Sequence, residues 1–162
     1  MFDDKKLVIR EISLADYFLL ENFLFYAIHQ PEKSQLPKNV IYNPDVYIYI
    51  QDYGLINDNG VVAKIDGEVI GMAWTRIIPG FGHINQKTPE LAISVRSDAR
   101  GFGIGTKLME SLFVLLTTKG YKQTSLAVQK TNRAVNFYQR LGYKIVLEKE
   151  EEFVMVKLLE EK

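Results

Sequence analysis

Cysteine is absent from this chain of 162 residues, which excludes disulfides, thiolate metal sites and cysteine nucleophiles. Histidine is nearly absent: there are two, His29 and His83. A pair so far apart, without thiols, makes no ligand cluster, so no metal is expected. Neither sign of charge is in excess, because twenty basic residues balance twenty acidic ones. The basic surplus that would argue for nucleic acid or an anionic membrane is missing. No apolar run approaches the roughly 20 residues of a membrane span, and residues 1–10 lack the apolar core of a signal peptide. No nucleic acid and no membrane are therefore expected as partners, and a cytoplasmic location is expected. The serines show neither a Gly-x-Ser-x-Gly elbow nor a matching Ser/His/Asp arrangement, which argues against a serine nucleophile.

What is present suffices for one domain over residues 1–162. Hydrophobic residues make up 47% of the chain, enough for a sizeable core. Residues 7–11 read as a short strand. Ser13 precedes Asp16 by three positions, a helix-start pattern, and Leu14, Phe18, Leu19, Phe23 and Tyr26 recur at helical spacing. Pro31 and Pro37 end that helix, with His29 as a dipole partner at its C-terminus. Residues 38–56 are ambiguous: Tyr47-Ile48-Tyr49-Ile50 alternates like a strand, yet Pro44-Asp45 suits a helix start, and a short helix is the favoured reading. Strands follow at 61–66 and 69–78 around a tight Asp66-Gly67-Glu68 turn, then a Gly- and Pro-rich loop at 79–89 and a strand at 91–95. Residues 104–118 carry Leu108, Leu112, Leu115 and Leu116 on one helical face, and Gly120 stops the helix. A strand at 123–128, a short helix at 132–141 closed by Gly142, and strands at 143–147 and 153–158 complete the chain. The charged stretch 148–152 between the last two strands reads as a solvated hairpin turn. Strand–helix–strand crossovers at the centre require a parallel pair there, flanked by hairpins: a mixed α/β sheet.

The chemistry-bearing feature is Arg100-Gly101-Phe102-Gly103-Ile104-Gly105-Thr106, lying between a strand and an amphipathic helix. Such turns aim backbone N–H groups in one direction at a helix N-terminus whose dipole favours anions. Glycines let a phosphate approach closely, Thr106 adds a hydroxyl, and Arg100 adds a cation able to pair with phosphate oxygens. A P-loop would need Gly-Lys-Ser/Thr, but Lys107 follows Thr106. A dinucleotide fingerprint would need Gly-x-Gly-x-x-Gly in an early βαβ unit, and these glycines have the wrong spacing and come late. From the glycines alone, a turn that merely packs a helix on a strand stays open.

Two motifs together resemble the GNAT N-acetyltransferase superfamily. Arg100, Gly103 and Gly105 match its Arg/Gln-x-x-Gly-x-Gly/Ala signature at a strand-to-helix junction. Asn132, Ala134, Phe137-Tyr138 and Leu141-Gly142-Tyr143 resemble its second feature, an Asn-containing loop and a short helix closed by Leu-Gly-Tyr/Phe. In many members the Asn lies one residue further upstream of the Ala, where Thr131 sits here. The resemblance implies a mixed, mostly antiparallel sheet of about six to seven strands with a central splayed parallel pair, flanked by about four helices. It implies acetyl-CoA as cofactor and direct acyl transfer to a primary amine of a small molecule or a protein. The pyrophosphate would meet Arg100, Gly101, Phe102, Gly103, Ile104, Gly105 and Thr106. The pantetheine would pair with the backbone of Ile93, Ser94 and Val95 as an added strand, with Asn132 and Tyr138 as further cofactor contacts.

For catalysis, a backbone N–H on the 91–95 strand would polarise the thioester carbonyl, and Tyr138 would be the general acid for the leaving thiolate. Glu90 is the candidate base, directly or through water. His83 has a suitable ordinary pKa but reads better as a loop histidine. Some relatives carry a Glu where Ala127 stands here. Tyr42, Tyr47, Tyr49, Tyr53, Trp74 and Phe81 fall in regions that would face the acceptor, as walls or as core. A homodimer is a possible partner, since many relatives pair. The competing reading is a non-catalytic acyl-CoA-binding sensor or interaction module. A third is an enzyme of another phosphate-bearing cofactor, ATP or NAD.

Overall fold

The structure, a computed structural model, describes residues 6–28 and 36–160. The expected roles of His29 and Pro31 lie outside these residues. The chain runs β1 (Leu7–Glu11), a 3-10 helix (Leu14–Leu19), α1 (Leu20–Ala27), a 3-10 helix (Lys38–Tyr42), α2 (Pro44–Tyr47), β2 (Asn59–Ile65) and β3 (Glu68–Arg76). After β4 (Glu90–Val95) and a 3-10 turn (Ser97–Ala99) come α3 (Ile104–Thr118), β5 (Gln123–Gln129), α4 (Ala134–Arg140), β6 (Lys144–Glu148) and β7 (Glu152–Leu158). The strands form one seven-stranded sheet in the order β1-β2-β3-β4-β5-β7-β6. Only β4 and β5 are parallel, as the central crossover requires.

Local chemistry accounts for the elements. Asp66 and Gly67 both have positive φ, 52° and 82°, the conformation of a two-residue hairpin turn whose twist matches its strands. The favoured helix within 38–56 forms at Pro44: the Asn43 side chain accepts the Asp45 N–H at 3.0 Å, and Pro occupies the first turn, where its missing N–H costs nothing. The single helix expected from Leu14 divides instead. Its first part, Leu14–Leu19, is 3-10, and it opens on a capping box in which the Asp16 carboxylate accepts from the Ser13 N–H (2.8 Å) and Oγ (3.0 Å).

Neighbouring strand residues face opposite ways, so each strand serves two cores. Val61, Ala63 and Ala73 pack against Leu108, Met109, Leu112 and Leu116 of α3. Val62, Met72 and Trp74 pack against Leu20, Phe23 and Leu24 of α1 and against Ile41 and Ile50. Strand β6, exposed throughout, is an edge strand. An irregularity between Ile145 and Leu147 interrupts its register with β7, which blunts the edge against open pairing.

The first turn supplies a stability prediction. Arg10 grips Asp16 through two bonds, 2.7 and 3.0 Å, and this hydrogen bonding holds the buried Asp16 carboxyl at about 2, below its ordinary 3.8. A carboxyl that is harder to protonate when folded stabilises the protein fully above its unfolded pKa and loses that contribution as pH falls through the folded one. Asp16→Asn is therefore expected to cost about 1–2 kcal/mol at pH 7, allowing for the partial exposure of Arg10. Urea midpoints should converge for variant and parent between about pH 4 and pH 2; an equal gap at both ends would remove the ion pair as the cause.

Candidate active site

Strands β4 and β5 pair only at Glu90 and Ser125, with the Ser125 N–H donating to the Pro89 carbonyl at 3.0 Å. Beyond that point they part. Arg96 donates its N–H to Ile70 on the β3 side, so by alternation the peptide groups of Ile93 and Val95 point away from β3, into the gap. Those of Ser94 point to β3, while its Oγ donates to the Phe23 carbonyl at 2.6 Å and ties α1 across the strand.

The gap opens on two cavities. The first, of about 810 Å³, is lined by Ile93, Ser94, Val95, Arg100, Gly101, Gly103, Ile104, Gly105, Thr106, Asn132 and Tyr138, with the end of α1 opposite. The second, of about 620 Å³, is lined by Leu24, Val46, Tyr49, Phe81, residues 91–93, residues 127–129 and the turn 149–152. Ala27, Ile28, Ile93, Asn132 and Tyr138 border both.

The glycine turn is built to accept an anion. Gly101 and Gly103 have φ of 86° and 77°, a Cβ at either would meet nothing within 4 Å, and both line the first cavity. Gly103 leads into α3, whose first internal bond runs from the Lys107 N–H to the Gly103 carbonyl at 3.2 Å. The N–H groups of Ile104, Gly105 and Thr106 therefore lack an intrahelical acceptor. Gly105 approaches the Phe137 ring, where a Cβ would sit at 3.4 Å, which couples the turn to α4. Arg100 donates Nε to the Val95 carbonyl at 3.1 Å, placing its guanidinium beside β4. The ring of Phe102 is exposed and does not line the cavity. This open cradle fits a pyrophosphate, and the gap beside Ile93 and Val95 fits an extended pantetheine arm, so the residues present suit CoA.

Tyr138 stands where the cavities meet. Its ring packs edge-on against Tyr143 with centroids 5.8 Å apart, and among the described residues its hydroxyl has no hydrogen-bond partner. Desolvation pushes its pKa up to about 12, so the hydroxyl stays protonated at neutral pH. Asn132 accepts the Ala134 N–H on its side-chain oxygen at 2.8 Å, which starts α4 and so aims Tyr138.

Glu90 is placed differently from the surface carboxylate that a strand start suggests. It is buried and borders neither cavity. Oε1 accepts the Gly80 N–H at 3.0 Å; Oε2 accepts the Gly82 N–H at 3.0 Å and the Tyr49 hydroxyl at 2.8 Å. Burial raises its pKa, opposed by these donors. The Tyr49 hydroxyl also accepts the Phe81 N–H at 3.0 Å, and the two rings stack 15° from parallel. One carboxylate thus ties β4, the 79–89 loop and the aromatic wall of the second cavity together. His83 is engaged through Nδ1 with the Ile78 carbonyl at 3.0 Å, outside both cavities.

Of the six aromatic candidates, Tyr49 and Phe81 line the second cavity. Trp74 is core, its Nε1 donating to the Tyr49 carbonyl at 2.9 Å. Tyr53 packs on Tyr17, and Tyr42 bonds Glu21. The turn at 148–152 is solvated as expected, and Lys149 Nζ also reaches the Phe81 carbonyl at 3.0 Å, which brings the turn to the second cavity. Ala27, Ile28 and Arg140 also border the site without any motif that would have singled them out.

A gap of this kind, ending on a glycine turn at a helix start, suits an extended, phosphate-bearing cofactor laid between parted strands. The model of the acetyltransferase (GNAT) family matches residues 23–143, and the chain belongs to that family: it is an acetyl-CoA-dependent N-acetyltransferase. It is 31% identical over 119 residues to an N-alpha-acetyltransferase of Sulfurisphaera tokodaii, covering 68% of this chain and 69% of that protein. It is 26% identical over 152 residues to an N-alpha-acetyltransferase of Sulfolobus acidocaldarius, covering 89% and 85%. Its fold matches the crystal structure of PaiA N-acetyltransferase from Thermoplasma acidophilum in complex with coenzyme A, with TM-score 0.69 at 19% identity over 94% of this chain and 98% of that one. No helix among the described residues is long and apolar enough to cross a membrane.

Proposed function

We propose that this acetyltransferase modifies the α-amino group of a polypeptide, with Tyr138 as its general acid. The observation that carries the catalytic part is the Tyr138 hydroxyl, unpartnered among the described residues and set at the junction of the cavities. The acceptor class is supported by the two similar proteins named N-alpha-acetyltransferase.

Acetyl-CoA, when bound, supplies the acetyl group as a thioester. The N–H groups of the turn, from Gly101 and Phe102 through Ile104, Gly105 and Thr106, hold the diphosphate, with Gly103 leaving room and Arg100 adding charge. Ile93 and Val95 offer backbone groups along β4 to the pantetheine amides, and an N–H there is placed to stabilise negative charge on the carbonyl oxygen. Ser94 holds the strand to α1, and Asn132 fixes the start of α4. Tyr138 donates its proton to the departing sulfur. Glu90, its oxygens taken by Tyr49, Gly80 and Gly82, positions Tyr49, whose ring walls the second cavity. The attacking amine would lose its proton to solvent water as the C–N bond forms and the C–S bond breaks.

The test is release of free thiol from acetyl-CoA in the presence of a panel of short peptides, diamines and free amino acids. Peptides with a free amino terminus should turn over at least ~10-fold faster than the other amines, and N-terminally blocked peptides should not. Turnover confined to small amines would overturn the peptide assignment. CoA binding without turnover of any amine would instead make the chain a sensor.

A further inference from the structure

The second cavity has two features that the proposed acceptor does not by itself explain. One is the free edge of β5. The Ser125 N–H points toward β4, so alternation turns the N–H and C=O of Ala127 the same way. Among the described residues no strand pairs with β5 on that side beyond Ser125. Ala127, which lines the cavity, therefore presents a backbone donor and acceptor unpaired among the described residues, a fixed site for another extended backbone.

The other is the charge at the mouth. The turn joining β6 and β7 brings Glu150, Glu151 and Glu152 to the lining. The one cation in the same turn, Lys149, is committed to the Phe81 carbonyl at 3.0 Å and to Glu152 at 3.4 Å. Among the described residues Glu150 and Glu151 have no ion-pair partner, and both are exposed. Leu24, Val46 and the Tyr49–Phe81 stack, which Lys149 touches through the Phe81 carbonyl, give the same lining its apolar surface. The lining is thus apolar inside and negative at its entrance, in a chain with no net charge.

We infer that the preferred acceptor is a polypeptide amino terminus with a lysine or arginine among its first few residues, its backbone laid against β5 at Ala127 and its cationic side chain held by Glu150 and Glu151. This rests on the α-amine reading above. The charged contact lies at a solvated rim, so it acts on encounter and selectivity and weakens with salt.

The test uses peptides of equal length with a free amino terminus, alike except for lysine or glutamine at the third and fourth positions. For the parent protein, kcat/KM should favour the lysine peptide by about 10-fold at low salt and by less than about 3-fold at 0.5 M salt. In a Glu150→Gln/Glu151→Gln variant that ratio should fall below about 3 at low salt, with CoA affinity and thermal midpoint unchanged. Calorimetry of the lysine peptide with the CoA-loaded protein should show the same loss. Methylating the second peptide amide should weaken that binding about 10-fold if Ala127 pairs with the backbone. Equal use of both peptides by the parent, or an undiminished ratio in the variant, overturns the charge selection while leaving the α-amine reading intact. Unchanged binding of the methylated peptide overturns the β5 contact. Failure of every free peptide alongside turnover of small amines would sink the α-amine reading first.

Discussion

Gly103→Glu is expected to weaken CoA binding by at least about 100-fold while the protein still folds. Gly103 has a φ of 77°, a conformation that strains any side-chain-bearing residue by roughly 1 kcal/mol. Nothing lies within 4 Å of a Cβ built there, so the first carbon of the new side chain has room. Gly103 lines the first cavity, so a carboxylate there would set negative charge where the proposed diphosphate would lie. Gly103→Ala shares the backbone strain without the charge, so it separates the two causes. Calorimetric titration with CoA should give a dissociation constant raised by about 10-fold or less for the alanine variant, and by about 100-fold or more for the glutamate one. Their thermal midpoints should fall together. Equal affinities in the two variants would mean that the N–H groups ahead of α3 do not hold the anion.

Tyr138→Phe should lower kcat by about 10²-fold or more and leave the CoA dissociation constant within about twofold. The hydroxyl makes no hydrogen bond to the described residues, so its loss removes no structural contact and leaves the packing against Phe137 and Tyr143 in place. Because burial pushes its pKa up to about 12, the group is protonated across the working range. The ratio of parent to variant kcat should therefore be flat from pH 6 to pH 9 rather than follow a titration. Stopped-flow measurement of thiol release under saturating acceptor would show the deficit in the chemical step. Full activity in the phenylalanine variant would dismiss Tyr138 as the proton donor.

Much of this molecule is written in short stretches of chain. Asp66-Gly67 can satisfy two successive positive φ values, so the hairpin between β2 and β3 is local information. Leu108, Leu112 and Leu116 recur at helical spacing and become the buried face of α3. Arg100, Gly103 and Gly105 foretell an anion-receptive turn because its donors are the turn's own backbone. The boundary between 3-10 and α geometry at Leu20 was not legible, because the apolar spacing from Leu14 to Tyr26 reads as one helix.

Glu90 shows the other limit. Its position at a strand start suggests a carboxylate open to an amine, yet its oxygens are occupied by Tyr49, Gly80 and Gly82. These donors converge only when the 79–89 loop lies over β4 and β5, and Gly82 permits that approach because a Cβ there would sit 2.6 Å from the Leu126 carbonyl carbon. Similarly, the charges at 148–152 look like an ordinary hairpin turn until Lys149 reaches Phe81, 68 positions away in the chain. The sequence by itself determined most of the elements and the glycine turn ahead of α3, since each depends on neighbours within a few residues, and the strand–helix–strand crossover that makes β4 and β5 parallel. The tertiary structure alone decided that the two strands part after Glu90, that Tyr138 stands between two cavities, and that an acidic turn guards the second. Those are distances between segments far apart in the chain, and they are set by packing rather than by local spacing.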